Sequence, residues 1–558
     1  MNYIMKILKQ NNKSIFRKSL ALIFCLAMFI SCDKGFLELN TSPHVMTEPN
    51  INAIFANSVY TVAGRGDNGT QYPRDKVSGA IVQWWSTLNH RQWVGVAYII
   101  ERTDYTGGFF QQVYNSELRD CQELLYMTKD DPAMSNLNNI LRIWRVYILH
   151  RVTDLYGDVP YSEAGMGYQK EIYKPKFDKQ QDIYHDMLKE LDEASAALVV
   201  DASKASFGKS DYVYEGDVEK WRKFGYSLML RLAMRTTKVE QATAETYVKK
   251  AIAGGVFTSN ADIAYMEHNE ANSNGYNQHT NRFDGVEVVP RNANGTGYGK
   301  VAATFVNMLR DNYDPRSPFF ITLWQGNRSG VSLADRELYS KIEDQVGLPT
   351  GYDDALIKTV PGFEDFVAPT SYTRISEVNL NTIGHRAAPN IFMQYFEVEY
   401  LLAEAALRGW ESGTPKEHYE KGVRASMSNQ YLYPGNYVIT EADIANYLNG
   451  TGGNGTQGMP WDAAAGDFER GMELIHTQFW ISNYLNGLEA FANWRRTEYP
   501  KLTAPNLLPG SMTGGIMPRR VPYNDTEKTR NEANYKEALS QQGWASDGWT
   551  QRMWWDKQ

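Results

Sequence analysis

In the stretch NLNNILRIWRVYILHRVTDLYGDVPY, the residues Leu137, Leu141, Trp144, Ile148, Val152 and Leu155 recur at intervals of three and four. That spacing puts them on one face of a helix, which Gly157 and Pro160 then end. The pattern repeats in FDKQQDIYHDMLKELDEASAAL through Ile183, Met187, Leu191 and Ala194, with Asp178 and Gln181 as a capping pair at its start. After YEGDVEKW, where Asp217 is placed to cap, Trp221, Phe224, Leu228 and Leu232 line a third face that runs up to Arg235. MQYFEVEYLLAEAALRG reads as a helix closed by Gly409, and IHTQFWISNYLNGLEAFANWRR as one further helix. Amphipathic helices joined by short turns predict a mainly α protein built as a stacked scaffold of helical hairpins. No clean period of about 34 residues runs through the chain, so strict repeats are not established.

Between the helical blocks the character changes. Residues 267–300 and 447–466 are rich in Asn, Gly and Gln and read as long loops. Long loops in a folded domain are commonly functional, so ligand contacts are expected there.

The N-terminus has a pattern of its own. Lys6, Lys9, Lys13, Arg17 and Lys18 precede an apolar run from Leu20 to Ile30, with no acidic residue among them. The run is too short for a membrane-spanning helix, which needs about 20 apolar residues. A charged segment, a short apolar segment and a small residue describe an export signal. Ser31-Cys32 after it resembles a bacterial lipoprotein box, in which the Cys32 thiol is acylated and becomes the new N-terminus; an ordinary secretory signal with an incidental cysteine is the alternative. The chain is therefore divided into a signal peptide at 1–31, a lipidated N-terminus and tether at 32–48, and one ligand-binding domain at 49–558.

Charge and cysteine content narrow the function. Removing the five signal cations from 57 leaves 52 against 65 acidic residues, so the mature formal charge is about −13, which argues against a nucleic-acid partner. Of the three cysteines, Cys25 leaves with the signal and Cys32 takes the lipid, so Cys121 stays free and stability rests on the size of the core. Aromatic residues make up 13% of the chain, enough to fill a core and still supply flat platforms for sugar rings. No His-Glu-x-x-His helix, Gly-x-Ser-x-Gly elbow or Walker loop appears, and the nine histidines show no metal-ligand spacing. GTGYGK at 295–300 lacks the Ser or Thr that follows a phosphate-loop lysine. The residues point to no catalysis and no cofactor, and leave a structural calcium ion open.

Six strings then occur in order: LYGDVPYSEA, YEGDVEKWRKFGYSLMLRLAMR, NYDPRSPFF, YLLAEAALRG, FANWRRTEYPKL and the ending MPRRVPYNDTEKTRNEANY…RMWWDK. In this order they resemble the SusD/RagB-like outer-membrane lipoproteins, in the SusD-like branch whose chains end in Trp-Trp-Asp, over everything from Cys32 onward. The resemblance implies a tetratricopeptide-like hairpin scaffold whose irregular segments build the ligand face. It further implies a protein lipid-anchored on the outer membrane and exposed at the cell surface, which hands oligosaccharides to a SusC-like TonB-dependent transporter. A RagB-type peptide receptor and a surface glycan-degrading enzyme are the alternatives. The shared strings themselves read as structure: a helix stop at Tyr156–Tyr161, a turn locked by an Asp314–Arg316 pair, and Arg495 and Arg496 paired with carboxylates inside the scaffold.

A glycan site needs an apolar platform for the C–H face of a sugar ring and planar polar groups for its hydroxyls. IVQWWSTLNHRQWVG offers Trp84, Trp85 and Trp93 with Gln83, Asn89, Arg91 and Gln92 interleaved. Adjacent rings point apart on a helix, so at most one of Trp84 and Trp85 faces a ligand, unless both are core. The Asn-rich loop adds Tyr276, Asn277, Gln278, Arg282 and Asn292, and TLWQGNR adds Trp324, Gln325 and Arg328.

Overall fold

The computed structural model describes residues 49–64, 72–88, 103–271, 275–277, 299–323, 340–367, 370–463, 466–505 and 511–558. Hydrophobic spacing becomes packing in α1 (Leu118–Thr128), α2 (Ser135–Tyr156), α3 (Gln180–Ala197), α4 (Val218–Arg235) and α5 (Gln241–Gly254), each packed on the one before. After α6 (Ala303–Asp311) comes a second group: α7 (Tyr395–Leu407), α8 (Pro415–Met427), α9 (Glu441–Asn449), α10 (Phe468–Ser482) and α11 (Gly487–Thr497). There α7 packs on α8 and α10, α10 packs on α11, and α4 joins α7 to link the two groups. The protein is thus mainly helical, and among the described residues the strands are two to four residues long. Asn52–Gln558 form one compact unit, and no helix among the described residues is long and apolar enough to cross a membrane.

The predicted faces are buried, and α2 goes further. Its apolar stripe is covered, and so are Arg145, His150, Arg151 and Asp154 on its other sides, because helices and loops surround it. It stops at Gly157, whose φ of 90° and ψ of −126° suit glycine; an added Cβ would lie 2.7 Å from the Gln542 side chain. The chain then enters β2 (Val159–Pro160), which pairs antiparallel with β3 (Phe177–Asp178). Asp178 is occupied there, since its carboxylate accepts the backbone N–H groups of Tyr161 at 3.1 Å and Ser162 at 2.8 Å. It does not cap α3, which starts at Gln180 without a side-chain cap. Asp217 does cap α4, accepting the N–H groups of Glu219 and Lys220.

Two other expectations change. IHTQFWISNYLNGLEAFANWRR is two helices, α10 and α11, because Leu485 sits at φ 72° and the Asn483–Asn486 turn redirects the chain. The loop expected at 447–466 starts later, since 447–449 are the last turn of α9; from the left-handed Gly450 to 463 the chain is irregular as expected, with a tight turn bridged by Gly452 and Gln457. The turn at 314–316 is as expected: Arg316 grips Asp314 at 2.6 Å, wholly buried, and also donates to Ser426, Ser482 and Gln478.

Between the helices lies a connected set of buried charges. Arg231 of α4 holds Glu397 of α7, and Arg235 of α4 holds Glu489 of α11 at 2.8 Å and Asp154 of α2 at 3.5 Å. Arg496 of α11 meets Glu404 of α7 at 2.7 Å, with His476 of α10 3.0 Å from the same carboxylate. Arg495 departs from expectation: its guanidinium donates to the carbonyls of Asp154 and Arg519 and lies over the Phe491 and Trp555 rings, so carbonyls and aromatic faces take the place of a carboxylate.

Burial pushes the His476 imidazole down to about 4, and Asn493 is placed to donate to its Nδ1 at 3.1 Å, the tautomer of a neutral ring. Because the folded pKa lies below the unfolded one near 6.5, the folded state binds fewer protons. The stability this gives is present above pH 6.5 and is lost as pH falls toward 4. Thermal melts between pH 7 and 4 are expected to show a shallower loss for His476→Gln than for the parent, the difference approaching ~3 kcal/mol at the acid end.

Candidate functional site

Three of the segments that carry candidate binding residues start or end on one small frame. In it β1 (Trp85–Ser86) pairs antiparallel with β5 (Lys300–Val301), placing Trp85 opposite Val301 and Ser86 opposite Lys300. β6 (Ile321–Leu323) pairs with β7 (Ser376–Val378), placing Leu323 opposite Ser376. The two pairs are tied through the chain at 345–349. Leu348 donates its N–H to Val301 at 2.9 Å and Ser376 donates its N–H to Val346 at 2.7 Å, while the Ser86 hydroxyl donates to the Pro349 carbonyl at 2.8 Å. Gly347 permits the approach, since a Cβ there would sit 2.4 Å from the Ala303 Cα. Leu88, Lys300, Leu323 and Ser340 therefore share one rigid base, with the Ser340 hydroxyl 3.2 Å from that of Thr322.

A buried ion pair crosses this base. Lys300 Nζ lies 3.1 Å from Glu377 Oε2, both side chains essentially without solvent exposure, and 5.8 Å from the centre of the Tyr372 ring. The lysine of GTGYGK is thus committed to a carboxylate. Beside it Leu88, Leu348, Ile357, Phe363, Phe366, Tyr372 and Ile375 make a small apolar core of their own. The frame is held rigid from both sides.

The structure corrects two candidate platforms. Trp84 and Trp85 are both fully buried. Gln83, at φ 60°, turns the chain so that Trp84 packs against Phe305, Trp480 and Tyr484, and Trp85 against Tyr484. They support the frame from behind and present no ring to a ligand. Asn277 is corrected as well: it is buried, its side-chain amide donates to the Ala388 carbonyl at 2.9 Å, and its N–H donates to that of Arg386. Tyr276 is half-buried with the Arg386 guanidinium 5.1 Å from its ring centre. Cys32, Asn89, Arg91, Gln92, Trp93, Gln278, Arg282, Asn292, Trp324, Gln325 and Arg328 lie outside the described residues. The frame does bring the roots together: 89–102 leaves Leu88, 278–298 leads into β5, and 324–339 runs from Leu323 to Ser340.

Two carboxylates with raised pKa values, Asp158 and Glu397, lie elsewhere, inside the scaffold. Burial pushes Asp158 and Glu397 up to about 7, against the hydrogen bond from Gln180 in the first and the Arg231 guanidinium in the second. These are packing sites and not a cleft. Among the described residues no group of three or more His, Cys, Asp or Glu side chains is arranged to hold a metal ion. Sequence reading missed Glu377, Glu397 and Glu489; the available signal was that an Arg or Lys within an apolar helical face or strand needs a buried partner.

Comparison with known proteins places these observations. The SusD-like family model described as starch-binding associating with outer membrane matches residues 43–524. A solved structure named a chitin-binding protein superposes with a TM-score of 0.72 and 31% identity, covering 91% of this chain and 100% of its own. A SusD-like structure from Bacteroidetes AC2a gives 0.76 and 27%, covering 91% and 100%. A chitin-binding SusD homologue from Flavobacterium johnsoniae shares the fold at 0.72 and 24%, covering 91% and 98%. No curated protein matches the chain.

The Lys300–Glu377 pair gives a test of the frame. Lys300→Met takes the cation away from the buried Glu377 carboxylate and is expected to cost about 3 to 5 kcal/mol in chemical denaturation, whereas Lys300→Met with Glu377→Leu recovers most of that loss.

Proposed function

The chain belongs to the SusD-like family, and we propose that it is a cell-surface lipoprotein that captures oligosaccharides and delivers them to a SusC-like TonB-dependent transporter, without chemistry of its own. Members of this family associate with the outer membrane and bind carbohydrate. The observation that carries the glycan reading is the chitin-binding protein at 31% identity, matched over its whole length. Chitin-type N-acetylated oligosaccharides are accordingly the first ligands to test.

The division of labour is supported by the site. A helical scaffold holds a rigid frame, and the segments bearing Trp93, Trp324, Arg91, Arg282 and Arg328 leave that frame together. Indole faces take the apolar side of a sugar ring, while guanidinium and amide groups take its hydroxyls. Cys32 carries the acyl chains that tether the domain, each buried methylene contributing about 0.8 kcal/mol. The transporter receives what the domain releases, so an affinity that permits release serves the task better than a very tight one.

Calorimetry and affinity electrophoresis of the chain from Asp33 onward, against chitin oligosaccharides, other glycans and mixed peptides with analysis of products, test this reading. Saturable binding of one glycan with no product formed supports it. Binding to peptides alone, or release of shortened sugars, overturns it. Trp93→Ala and Trp324→Ala are each expected to weaken glycan binding roughly tenfold at unchanged melting temperature. Cys32→Ala is expected to move the protein from the membrane fraction to the soluble fraction, as followed by fractionation of cells.

A further inference from the structure

A second concave site lies away from the frame. It measures about 1040 Å³, and none of its lining residues belongs to β1, β5, β6 or β7. Its most exposed rings are Tyr212, at 50% exposure, and Tyr431, at 64%. Tyr265 lies between the buried Ala264 and Met266 of β4 (Ala264–Met266), so strand alternation leaves it half-buried on the cleft side.

The site is built. Below Tyr212, the buried Asp211 carboxylate accepts the N–H groups of Val213 at 3.0 Å and Gly216 at 2.9 Å and the Trp221 indole N–H at 2.6 Å. That network locks the turn from which Tyr212 projects at the rim. Tyr214, at the floor, donates its hydroxyl to the Asp262 carbonyl at 2.8 Å. Tyr431 donates to the Asn260 carbonyl at 3.2 Å, which steadies the ring opposite. Rings held in place before a ligand arrives lose little entropy when it binds.

The chemistry of the lining selects the ligand. Two lysines, Lys209 and Lys220, stand among three carboxylates, Asp211, Glu215 and Glu267, with Asp211 turned to internal hydrogen bonds, so both signs are interspersed and no cationic cluster is offered to an anion. Its large exposed apolar side chains are tyrosines, beside the small Ala53 and Ala261, with Val213, Ile263 and Met266 buried in the floor. Phenol faces with amides and carboxylates between them suit neutral rings bearing hydroxyl or acetamido groups, and offer no greasy stripe to a helix.

We propose that this tyrosine cleft is a second carbohydrate-binding site, taking a short stretch of a neutral glycan chain. The inference rests on the glycan reading above and adds a second contact to it. A polymer that engages both sites is held more tightly than an oligomer that fits only one.

The test uses the chain from Asp33 onward with chitotriose and colloidal chitin as probes, and compares the parent with Tyr212→Ala, Tyr431→Ala and Tyr212→Phe. The parent is expected to take two equivalents of chitotriose per chain by calorimetry, and each alanine variant one, at unchanged melting temperature. Retention on colloidal chitin is expected to fall roughly tenfold in the alanine variants. Tyr212→Phe keeps the ring and is expected to behave as the parent. One equivalent in the parent, with unchanged retention in both alanine variants, overturns the second site and leaves the frame site standing. A parent that binds neither probe nor any other glycan overturns both.

Discussion

Four elements distant in sequence meet through buried charges. Arg231 and Arg235 project from successive turns of α4 and meet Glu397 of α7, Glu489 of α11 and Asp154 of α2. A buried guanidinium without a carboxylate is costly, and removing one partner of such a pair typically costs about 3 to 5 kcal/mol. The helices must therefore approach in the one register that satisfies every charge. Apolar stripes bring helices together with some tolerance; the ion pairs remove that tolerance. Arg316 does the same for the turn before β6, gripping Asp314 and reaching Ser426 on α8 and Gln478 and Ser482 on α10.

From that scaffold the order is carried to the frame by identifiable contacts. Trp480 of α10 donates its indole N–H to the Val82 carbonyl at 3.0 Å, just before the turn at Gln83. Phe305 of α6 stacks on Tyr484 at 4.4 Å, and both touch Trp84. At the start of α11, Gly487 allows the backbone carbonyl of Arg74 to lie where any Cβ would stand. The positions of β1 and β5, and with them the roots of 89–102 and 278–298, follow from the helices behind them. The Lys300–Glu377 pair extends the same logic across to β7 and β6.

Much of this was legible in the chain and some was not. The stripes through Leu137 and Trp221 marked α2 and α4 because helical period is a local property. The Asp314–Arg316 turn was readable because both partners lie within three residues. Partners distant in sequence were not: nothing local to Arg495 says that it meets carbonyls where Arg496 meets Glu404. The break between α10 and α11 was hidden because Asn and Leu in a positive-φ turn resemble continued helix when only apolar spacing is counted. Trp84 and Trp85 show the same limit, since adjacent rings point apart on a regular helix but not around a backbone turned at Gln83. The tyrosine cleft was missed because its rings come from positions 212, 265 and 431 and share no motif.

The proposed glycan site rests on 89–102, 278–298 and 324–339, whose ends meet at the frame of β1, β5, β6 and β7. Hydrogen exchange of the chain from Asp33 onward, with and without a saturating chitin oligosaccharide, tests it most directly. New protection concentrated in 89–102, 278–298 and 324–339, with α2, α4, α7 and α11 unchanged, is the predicted result. Saturating ligand that leaves those three segments exchanging as before would contradict it.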